Sequence, residues 1–553
     1  MNYKWKIQGK ANNLIDVLRY IAKERNFSKD EMKKFISTCQ PLHDPMKFKN
    51  MKHVVERIKK AIANNELICI IGDYDCDGVT STYVLYMGLK YLGANVIYKL
   101  PHRLINGYGL KNPLVDYAKE KGAALIITVD NGIAAVDAVK YAKDNGIDVI
   151  VTDHHDPQEV LPDCLIINPK VNTEYPFNGL CGCGVAFKVV SALVDNFEQT
   201  ELYDSLIEIT AIGTVADAMD LVDENRFIII EGLKRLQNTS NVGLLELFKL
   251  GQLEGKTIDV GTLGFFIGPN INACGRVDSP DIALNMLLAD DIVEANKYAK
   301  KTIQLNDKRK ELQKNALDNL EINEEDKCII GVIDGSYAGI GGIVASNVVD
   351  LYHKPCFIFH GNGEIISGSG RTFGDFEIIN CVLQNKHIVE GGGGHKGACG
   401  VSLKLSRLEE FRTACNELFS EWLENNPQGL TPTLHSTCEM DIEFANMRLI
   451  KNIDRLKPFG SGNPEPIFTT RGLNVFSSKI VGKNENVIQF KFSKGFASVS
   501  AVGFKNIKDK YIELGSPKEV DIMYTIGINE WPAKTYNVQL TLIDIIPTQV
   551  GYL

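Results

Sequence analysis

Three aspartates alternate along a short segment that follows an apolar run. Asp73, Asp75 and Asp77 come one glycine after residues 67–71, a run that is typical of a buried strand. Burying three carboxylates so close together is unfavourable, because each is desolvated beside charges of the same sign. A divalent cation such as Mg²⁺ or Mn²⁺ removes this conflict, since both ions prefer oxygen ligands. The spacing therefore predicts a metal site at the end of the strand.

The same spacing also opens an EF-hand calcium loop, which is the main alternative. That loop needs a glutamate at its twelfth position. Counted from Asp73, the twelfth residue is Val84, and residues 79–92 already have a helical pattern. The calcium-loop interpretation is therefore rejected.

Polar residues follow other predicted elements. Asp130 begins an Asp-Asn-Gly sequence, Asp153 is followed by His154 and His155, and Asp217 is the one carboxylate of an apolar helical stretch. An aspartate at a strand end usually caps a helix or forms a turn, so each motif alone is weak evidence. Parallel strands bring their ends to one crevice, however, so the motifs together indicate a shared site. Aspartate with histidine suits Mn²⁺ or Mg²⁺, and a bridging aspartate holds two ions about 4 Å apart.

The elements that must position these residues alternate between strands and helices. Short β-rich runs are predicted at residues 67–71, 95–100, 125–129 and 149–152, with helices such as 80–92 and 136–145 between them. This alternation predicts an α/β fold with a parallel, doubly wound sheet. In such sheets ligands bind beyond the carboxyl ends of the strands, which is where the aspartates and histidines are.

The remaining segments predict several further domains. The predicted parts are an N-terminal helical segment at 1–50, the catalytic α/β domain at 51–280, a charged connecting helix at 281–324, a second α/β domain at 325–428 and a barrel at 429–553. The barrel is predicted from strand-like runs at 473–480, 487–492, 498–504, 522–529 and 538–545.

Composition limits the class of protein. With 553 residues the chain is long enough for three or four domains, and 44% apolar and 23% charged residues are ordinary for a globular protein. No apolar run reaches the roughly 20 residues that span a bilayer, and no signal peptide is recognisable, so we expect a cytoplasmic protein. The net charge of −9 argues against broad binding of polyanions. Composition alone therefore disfavours nucleic acid.

Cysteine usage does not indicate a disulfide framework. The 13 cysteines are odd in number and scattered along the chain. Cys181 and Cys183 are close together, but no second pair lies nearby to complete the four ligands of a structural zinc site. We therefore do not predict zinc.

The order of the motifs resembles a known family. Asp153-His154-His155, after the aspartate triplet and the Asp-Asn-Gly sequence, resembles the DHH phosphoesterase superfamily and, within it, the RecJ family of 5′→3′ single-strand-specific exonucleases. The likeness continues through residues 101–110, 213–217, 272–276, 369–371, 391–395 and 458–466. It covers nearly the whole chain in the family's order. The resemblance implies a doubly wound DHH domain, a second α/β DHH-associated domain joined by a long helix, and a C-terminal β-barrel of the OB-fold type.

The resemblance also implies roles for individual residues. The implied ligands of two Mn²⁺ or Mg²⁺ ions are Asp75, Asp77, Asp130, His154 and Asp217, with Asp73 either a ligand or a neighbour of one. The implied catalytic residues are His155 beside the scissile phosphate, Asp153 orienting the histidines, and Arg276 and His395 near that phosphate. The implied substrate-binding residues are Arg103, Ser369 and Arg371 at the 5′-phosphate, and Asn272 near the scissile phosphate. An exposed arginine is usually only solvated, so the arginine assignments depend on the resemblance.

The barrel is expected to contact the strand. The candidates are Lys479, Lys483, Lys491, Lys505 and Lys508 for phosphates, and Phe490, Phe492, Phe504 and Trp531 for base stacking. Alternating aromatics in a small barrel usually fill its core, so we favour core positions for the phenylalanines. Trp531 is the aromatic that we expect to face the surface.

The first functional hypothesis is a Mn²⁺- or Mg²⁺-dependent exonuclease that hydrolyses phosphodiester bonds of single-stranded DNA from the 5′ end, in DNA repair and recombination. The resemblance implies a helicase and a single-strand-binding protein as partners, and we expect a monomer.

A DHH phosphodiesterase for short oligonucleotides or cyclic dinucleotides is the second hypothesis, but such relatives lack the OB-fold. The third hypothesis is a catalytically inactive scaffold of a replication complex, but such a protein would have lost the metal-binding aspartates and histidines that this sequence retains. A family II pyrophosphatase is shorter and has a histidine-led variant of the Asp73 motif.

Overall fold

The computed structural model describes residues 3–37, 42–103, 107, 109–171, 174–482, 484–529 and 537–548. The chain divides into two compact units. The barrel unit combines residues 1–39 with residues 431–553, and the central unit comprises residues 40–430. Among the described helices, none has both the length and the apolar character that a membrane span requires.

The chain begins, in the barrel unit, with one strand and two helices. These are β1 (Lys4–Ile7), α1 (Leu14–Glu24) and α2 (Lys29–Ser37). Asn13 caps α1, because its side chain accepts a hydrogen bond from the Asp16 amide at 3.0 Å. The segment predicted as helical therefore also contains a strand.

A parallel sheet forms the first half of the central unit. Its elements are α3 (Met51–Ala63), β2 (Ile68–Ile71), α4 (Cys76–Tyr91), β3 (Val96–Lys99), α5 (Asn112–Glu120), β4 (Leu125–Val129), α6 (Val136–Asp144), β5 (Asp148–Thr152) and β6 (Leu165–Ile167). The strand order is β3-β2-β4-β5-β6, and all neighbours are parallel. After β2 the chain forms β3 on one side of that strand, and it then forms β4 on the other side. The carboxyl ends of β2 and β4 therefore flank a topological switch point, where ligands bind in such sheets.

Helices complete this half of the central unit. They are α7 (Gly182–Leu193), α8 (Glu201–Ala216), α9 (Asp223–Leu236), α10 (Val242–Leu250), α11 (Val260–Thr262), α12 (Gly268–Val277), α13 (Asp281–Leu288) and α14 (Ile292–Asp318). A π-helical turn, Leu263–Ile267, joins α11 to α12. Helix α4 packs against α7 and α8. Because it is enclosed on several sides, α4 is buried around most of its circumference, unlike a surface helix.

A mixed sheet forms the second half of the central unit. Its elements are β7 (Ile329–Ile333), α15 (Gly341–Tyr352), β8 (Cys356–His360), β9 (Ile365–Arg371), α16 (Ile379–Leu383), β10 (Val389–Gly394), β11 (Ala398–Lys404) and α17 (Leu408–Asn425). The strand order is β10-β11-β9-β8-β7, and only β7 and β8 are parallel. Ile358 packs with Val344 and Val348 of α15 on one face, whereas Phe357 packs with Phe411 of α17 on the other. A helix thus covers each face.

A closed barrel forms most of the barrel unit. Its elements are β12 (Thr433–Ser436), β13 (Cys438–Glu439), α18 (Met447–Asp454), β14 (Phe468–Val481), β15 (Val487–Lys494), β16 (Ala497–Gly503), α19 (Lys505–Glu513), β17 (Glu519–Asn529) and β18 (Asn537–Pro547). The order is β13-β14-β15-β16-β18-β17, and an additional pairing of β14 with β17 closes the barrel. Strand β1 pairs in parallel with β12, and Trp5 Nε1 donates a hydrogen bond to Asp544 Oδ2 at 2.8 Å. The N-terminal segment therefore belongs structurally with the barrel.

The predicted fold class is confirmed, but two details differ from the sequence-based expectation. Residues 281–324, predicted as one connecting helix, contain both α13 and α14. Asp291 starts α14 anew, because its side chain accepts hydrogen bonds from the amides of Val293 and Glu294. The barrel also contains α19, so the predicted phosphate contacts Lys505 and Lys508 lie on a helix.

Candidate metal centre

The aspartates of the first motif lie where β2 leads into α4. Asp75 caps α4, because its Oδ1 accepts a hydrogen bond from the Gly78 amide at 3.0 Å. Asp77 lies in the first turn of the helix and is buried. Its two oxygens accept hydrogen bonds from the amides of Gly182, at 2.7 Å, and Cys183, at 2.9 Å. The start of α7 therefore holds this carboxylate in place.

Asp130 follows β4 with an unusual backbone conformation. Its φ of +60° lies in the left-handed region, which residues other than glycine seldom adopt. Such strain persists where the surrounding structure holds it, and it is frequent at functional sites. The Asn131 side chain donates to the carbonyls of Ile71, at 3.1 Å, and Val129, at 2.9 Å, and so ties β2 to β4. Gly182 packs on Asp130 so closely that an added Cβ would lie 2.5 Å from Asp130 Cβ.

Asp153 orients the histidines that follow β5. Its Oδ1 accepts hydrogen bonds from the His154 amide and from His155 Nδ1, both at 2.7 Å. Its Oδ2 accepts from the Ile133 amide at 2.9 Å. The two imidazole rings pack together with their centroids 4.4 Å apart. Asp153 therefore engages Nδ1 of His155 and fixes the orientation of its ring.

Ligand atoms from these motifs converge in three overlapping groups. Within each group the atoms lie within 4.8 Å of one another. The groups are Asp77 with His154 and Asp217, Asp130 with His154 and His155, and Asp73 with Asp75 and Asp130. His154 Nε2 lies 3.1 Å from Asp130 Oδ1 and 3.6 Å from Asp217 Oδ2. Asp130 and His154 each belong to two groups, as expected where two ions share ligands.

Without an ion, the cluster is electrostatically unfavourable. Burial and neighbouring carboxylates raise the pKa of Asp73 and of Asp130 well above the usual range, and raise the pKa of Asp217 to about 8. Both carboxylate oxygens of Asp73 are buried and have no side-chain donor among the described residues. Buried oxygens of like charge without such donors fit a divalent cation.

The pKa values of the two histidines are shifted in opposite directions. Burial lowers the pKa of His154, which favours the neutral imidazole that binds metals. Burial also acts to lower the pKa of His155, but the hydrogen bond and charge of Asp153 outweigh it and raise that pKa. His154 is therefore suited to bind a metal and His155 to carry a proton.

The raised pKa values predict how the stability of the metal-free protein depends on pH. In the unfolded chain the carboxyl groups ionise at about pH 4, whereas in the folded protein Asp217 keeps its proton up to about pH 8. Between these values the folded state binds more protons, so the stability that the cluster contributes at low pH is lost as the pH rises. We expect Mn²⁺ to raise the melting temperature more at pH 8 than at pH 6, because at pH 6 the ion must displace protons. Thermal melts with and without Mn²⁺ test this, and equal increases at both pH values would contradict it.

Basic side chains lie between the acidic cluster and the second sheet. Burial and the nearby Arg103 lower the pKa of Arg276, on α12, to about 10. The guanidinium carbon of Arg103 lies 5.2 Å from the centre of the Tyr74 ring, which directly follows Asp73. The backbone of Arg276 contacts the second half of the unit, since a Cβ on Gly339 would lie 2.2 Å from its carbonyl oxygen. The arginines are thus positioned to hold an anion close to the metal ligands.

Ser369 and Arg371 lie on the face of β9 that α15 covers. A Cβ on Gly342, in the first turn of α15, would lie 3.0 Å from Arg371 Nη2 and 3.6 Å from Ser369 Oγ. Because Gly342 has no side chain, space remains above the guanidinium and the hydroxyl. A guanidinium and a hydroxyl at the start of a helix suit a phosphate group.

The predicted residues Asn272 and His395 lie beside the acidic cluster in different settings. Asn272 Oδ1 accepts a hydrogen bond from the Cys76 amide at 2.9 Å, so it holds the start of α4. His395 lies between β10 and β11, is exposed, and lines a cleft of about 440 Å³ together with His154 and His155. The structure brings both near the centre, and the substrate-binding role of Asn272 and the catalytic role of His395 stay predictions.

The predicted barrel contacts are only partly described. Trp531 and Lys483 lie outside the described residues. Phe490 and Phe492 are buried in the barrel core, as favoured, whereas Phe504 is 55% exposed. Sequence reasoning favoured the core for all three, so Phe504 differs. It lies at the N-cap position of α19 without a side-chain hydrogen bond, and so outside the strand pattern.

One part of the centre was missed by the sequence analysis, namely the start of α7. That segment was considered only as a zinc candidate and rejected. Cys181 instead caps the helix, because its Sγ accepts a hydrogen bond from the Gly184 amide at 3.3 Å. Two glycines at the start of an apolar helical run are a signal that could have indicated a helix end meeting an anionic group.

Comparison with known domains agrees with this geometry. The DHH family, N-terminal domain, matches residues 67–214, the DHHA1 domain matches residues 325–421, and the RecJ OB domain matches residues 437–544. Together with the aspartate–histidine cluster at the switch point of the first sheet, these matches define a phosphoesterase of the DHH class.

Comparison over the whole chain is more specific. The single-stranded-DNA-specific exonuclease RecJ of Bacillus subtilis is 36% identical over 499 residues, which cover 88% of this chain and 62% of that protein. The RecJ protein of Haemophilus influenzae is 30% identical over 538 residues, which cover 92% of each chain. The crystal structure of RecJ from Thermus thermophilus in complex with Mn²⁺ has the same fold, with a TM-score of 0.83, 24% identity, and coverage of 99% of this chain and 80% of that one. The chain belongs to the RecJ family, and the resemblance seen in its motifs is confirmed.

Proposed function

We propose that the chain is a two-metal, Mn²⁺- or Mg²⁺-dependent exonuclease that hydrolyses single-stranded DNA from its 5′ end in DNA repair and recombination. The observation that carries this proposal is the buried aspartate–histidine cluster with arginines beside it. The names of the relatives support the substrate, since they are single-stranded-DNA-specific exonucleases. RecJ structures in complex with Mn²⁺ and Mg²⁺ support the choice of metals.

Each side chain of the centre has a distinct task in this reaction. The residues that would hold the ions are Asp73, Asp75, Asp77, Asp130, His154 and Asp217. When bound, the ions supply a water of lowered pKa and positive charge beside the phosphate. Asp153 holds Nδ1 of His155, and Nε2 would then carry a proton to or from the substrate phosphate. Arg276 adds a fixed positive charge for the charge that develops on the phosphate oxygens.

Ser369, Arg371 and Arg103 would hold the 5′-terminal phosphate, which explains why cleavage starts at an end. Arg371→Ala should lower the preference for 5′-phosphoryl over 5′-hydroxyl strands by about 10- to 100-fold, since a hydrogen bond to a charged group contributes about 1.5–3 kcal/mol. The ratio of kcat/KM for the two strands measures this. Arg407→Ala is a matched control, because Arg407 is an arginine of the same half that pairs with Glu410 at the surface. An unchanged ratio in Arg371→Ala would place the terminal phosphate elsewhere.

The barrel has a groove of about 850 Å³ with a polar, basic lining. Lys479, Gln489 and Lys491 lie in this lining, on β14 and β15. Phe476 is 74% exposed and lies beside the groove, with Lys491 Nζ 5.6 Å from its ring centre. Lysines bind phosphates and an exposed aromatic ring stacks on a base, so the groove is suited to single-stranded DNA.

Combining Lys479→Ala with Lys491→Ala should reduce the dependence of DNA binding on salt. For single strands, the slope of log affinity against log salt decreases by about 0.7 for each phosphate that the protein no longer neutralises. Binding titrations at several salt concentrations measure the slope. Lys518→Ala is the control, since Lys518 is exposed and not among the residues that line the groove. A slope equal to that of the wild type would show that the groove does not bind the strand.

The activity itself is tested with Mn²⁺ and strands labelled at either end. We expect a 5′ label to be released at once as a mononucleotide, while a 3′-labelled strand shortens progressively. Cleavage of dinucleotides only would instead support the alternative of an oligonucleotide phosphodiesterase.

We further propose that the protein acts as a monomer in the cytoplasm on strands delivered by a helicase and a single-strand-binding protein, which reconstitution with those proteins would test.

A further inference from the structure

His360, the last residue of β8, lies on the same face of the second sheet as Ser369 and Arg371. In the pairing of β8 with β9, His360 is opposite Ser367, and Ser369 and Arg371 follow at intervals of two residues. Residues two apart on a strand project to the same face, and α15 covers this face. His360 belongs to none of the motifs that revealed the metal centre.

The first turn of α15 lies against all three side chains. A Cβ on Gly341 would lie 3.1 Å from His360 Cδ2, and a Cβ on Gly342 would lie 3.0 Å from Arg371 Nη2. The α-carbons of these glycines are consecutive and therefore about 3.8 Å apart. The imidazole at Gly341, and the guanidinium and Ser369 Oγ at Gly342, thus line the space beside the first turn of α15. We call this space the α15 cradle.

The charged groups around His360 are mainly cationic. Burial and the charge of Arg103 lower the pKa of His360, which favours its neutral imidazole. Two arginines supply the positive charge near His360, namely Arg103 and, on β9, Arg371. On the neighbouring strand, Asp334 follows β7, but its carboxylate accepts a hydrogen bond from the Ser336 amide at 2.8 Å within its own turn. A bound phosphate dianion would favour the protonated imidazole instead, because it would place negative charge beside the ring.

We propose that His360 is a further residue of the terminal-phosphate site and binds the 5′-phosphate as an imidazolium, taking up one proton as the phosphate enters the α15 cradle. This inference rests on the proposed function, which assigns the 5′-phosphate to Arg103, Ser369 and Arg371. It follows that the preference for a 5′-phosphate increases as the pH falls from 8.0 to 6.5. Over this range the phosphate keeps most of its second charge, since that group ionises near about pH 6.

Binding to the full-length chain in the presence of a chelator tests the proposal without hydrolysis. The dissociation constants of 5′-phosphoryl and 5′-hydroxyl forms of one strand are compared at pH 6.5 and 8.0, which cancels contributions from the rest of the strand. For the wild type we expect the ratio of the two constants to change by at least about threefold, given that one proton changes affinity up to about tenfold per pH unit. His360→Gln keeps a hydrogen-bond donor but cannot titrate, so its ratio should not depend on pH. His387→Gln removes an exposed histidine of the same half and should behave like the wild type.

The outcomes separate this inference from the function on which it rests. If Arg371→Ala keeps the full preference for a 5′-phosphate, the terminal-phosphate site itself is wrongly placed. If Arg371→Ala loses that preference while the wild-type ratio is independent of pH, the site stands and the role of His360 is overturned. A pH dependence that survives in folded His360→Gln overturns it as well. A pH-independent ratio in the wild type overturns the role of His360 even if the variant does not fold.

Discussion

Asp130→Asn is expected to abolish Mn²⁺-dependent cleavage while leaving the fold intact. Asparagine has the shape of aspartate and tolerates the left-handed conformation that Asp130 adopts at φ +60°. Asp130 belongs to two of the three ligand groups, so one change weakens both metal positions. We expect a loss of more than about 100-fold at saturating Mn²⁺, because 10- to 100-fold is typical for losing only an outer partner of a ligand. Single-turnover cleavage of an end-labelled strand measures the loss.

Although Asp130→Asn should abolish cleavage, it should not lower the stability of the metal-free protein. Burial and the carboxylates of Asp77, Asp75 and Asp73 raise the pKa of Asp130, and a neutral amide removes that repulsion. At pH 8 the metal-free variant should therefore melt no lower than the wild type, and added Mn²⁺ should stabilise it less. Asp137→Asn is a control, since Asp137 is an exposed aspartate in the first turn of α6. Activity of Asp130→Asn within about tenfold of the wild type would remove Asp130 from the proposed ligands.

The convergence of the predicted metal ligands could be foreseen because it depends on local sequence and on one topological rule. Asp75, Asp130 and His154 each follow a strand, and the parallel strands β2, β4 and β5 are neighbours in the sheet. Their carboxyl ends therefore meet at one edge, whatever the details of the connecting helices. Three short motifs, each weak alone, specified one place in the fold.

Interactions between distant segments were not predictable in the same way. The Gly182 amide reaches Asp77 across 105 residues of sequence, and no local pattern records that hydrogen bond. Strand β1 has only four residues, and its partner β12 begins at Thr433. His360 acquires its neighbours only through the register of β8 against β9. In each case the partner is chosen by the packing of whole elements, which the residue types do not encode locally.

Gly182→Ala is the second change for which we expect a large effect, although it alters no ligand. An added Cβ would lie 2.5 Å from Asp130 Cβ and 2.8 Å from Asp130 Cα, so the backbone on one side must shift. A shift of α7 would lengthen the hydrogen bonds from the Gly182 and Cys183 amides to Asp77, now 2.7 and 2.9 Å. A shift of Asp130 would move the carboxylate that two ligand groups share. Either response displaces a predicted ligand.

The consequence should be a larger loss of activity than of stability. Overpacking at one site costs about 1–3 kcal/mol, whereas a displacement of about 1 Å at a catalytic group can reduce the rate about 100-fold. Gly184→Ala is the matched control in the same turn of α7, because the nearest atoms to its Cβ would belong to the Leu180 side chain, with Cδ2 closest at 3.1 Å. Cleavage at increasing Mn²⁺ and thermal melts of both variants measure the two effects. If both variants lose activity equally, the cause is a general disturbance of α7. If only Gly182→Ala loses it, the packing of this glycine against Asp130 and Asp77 is what maintains the metal centre.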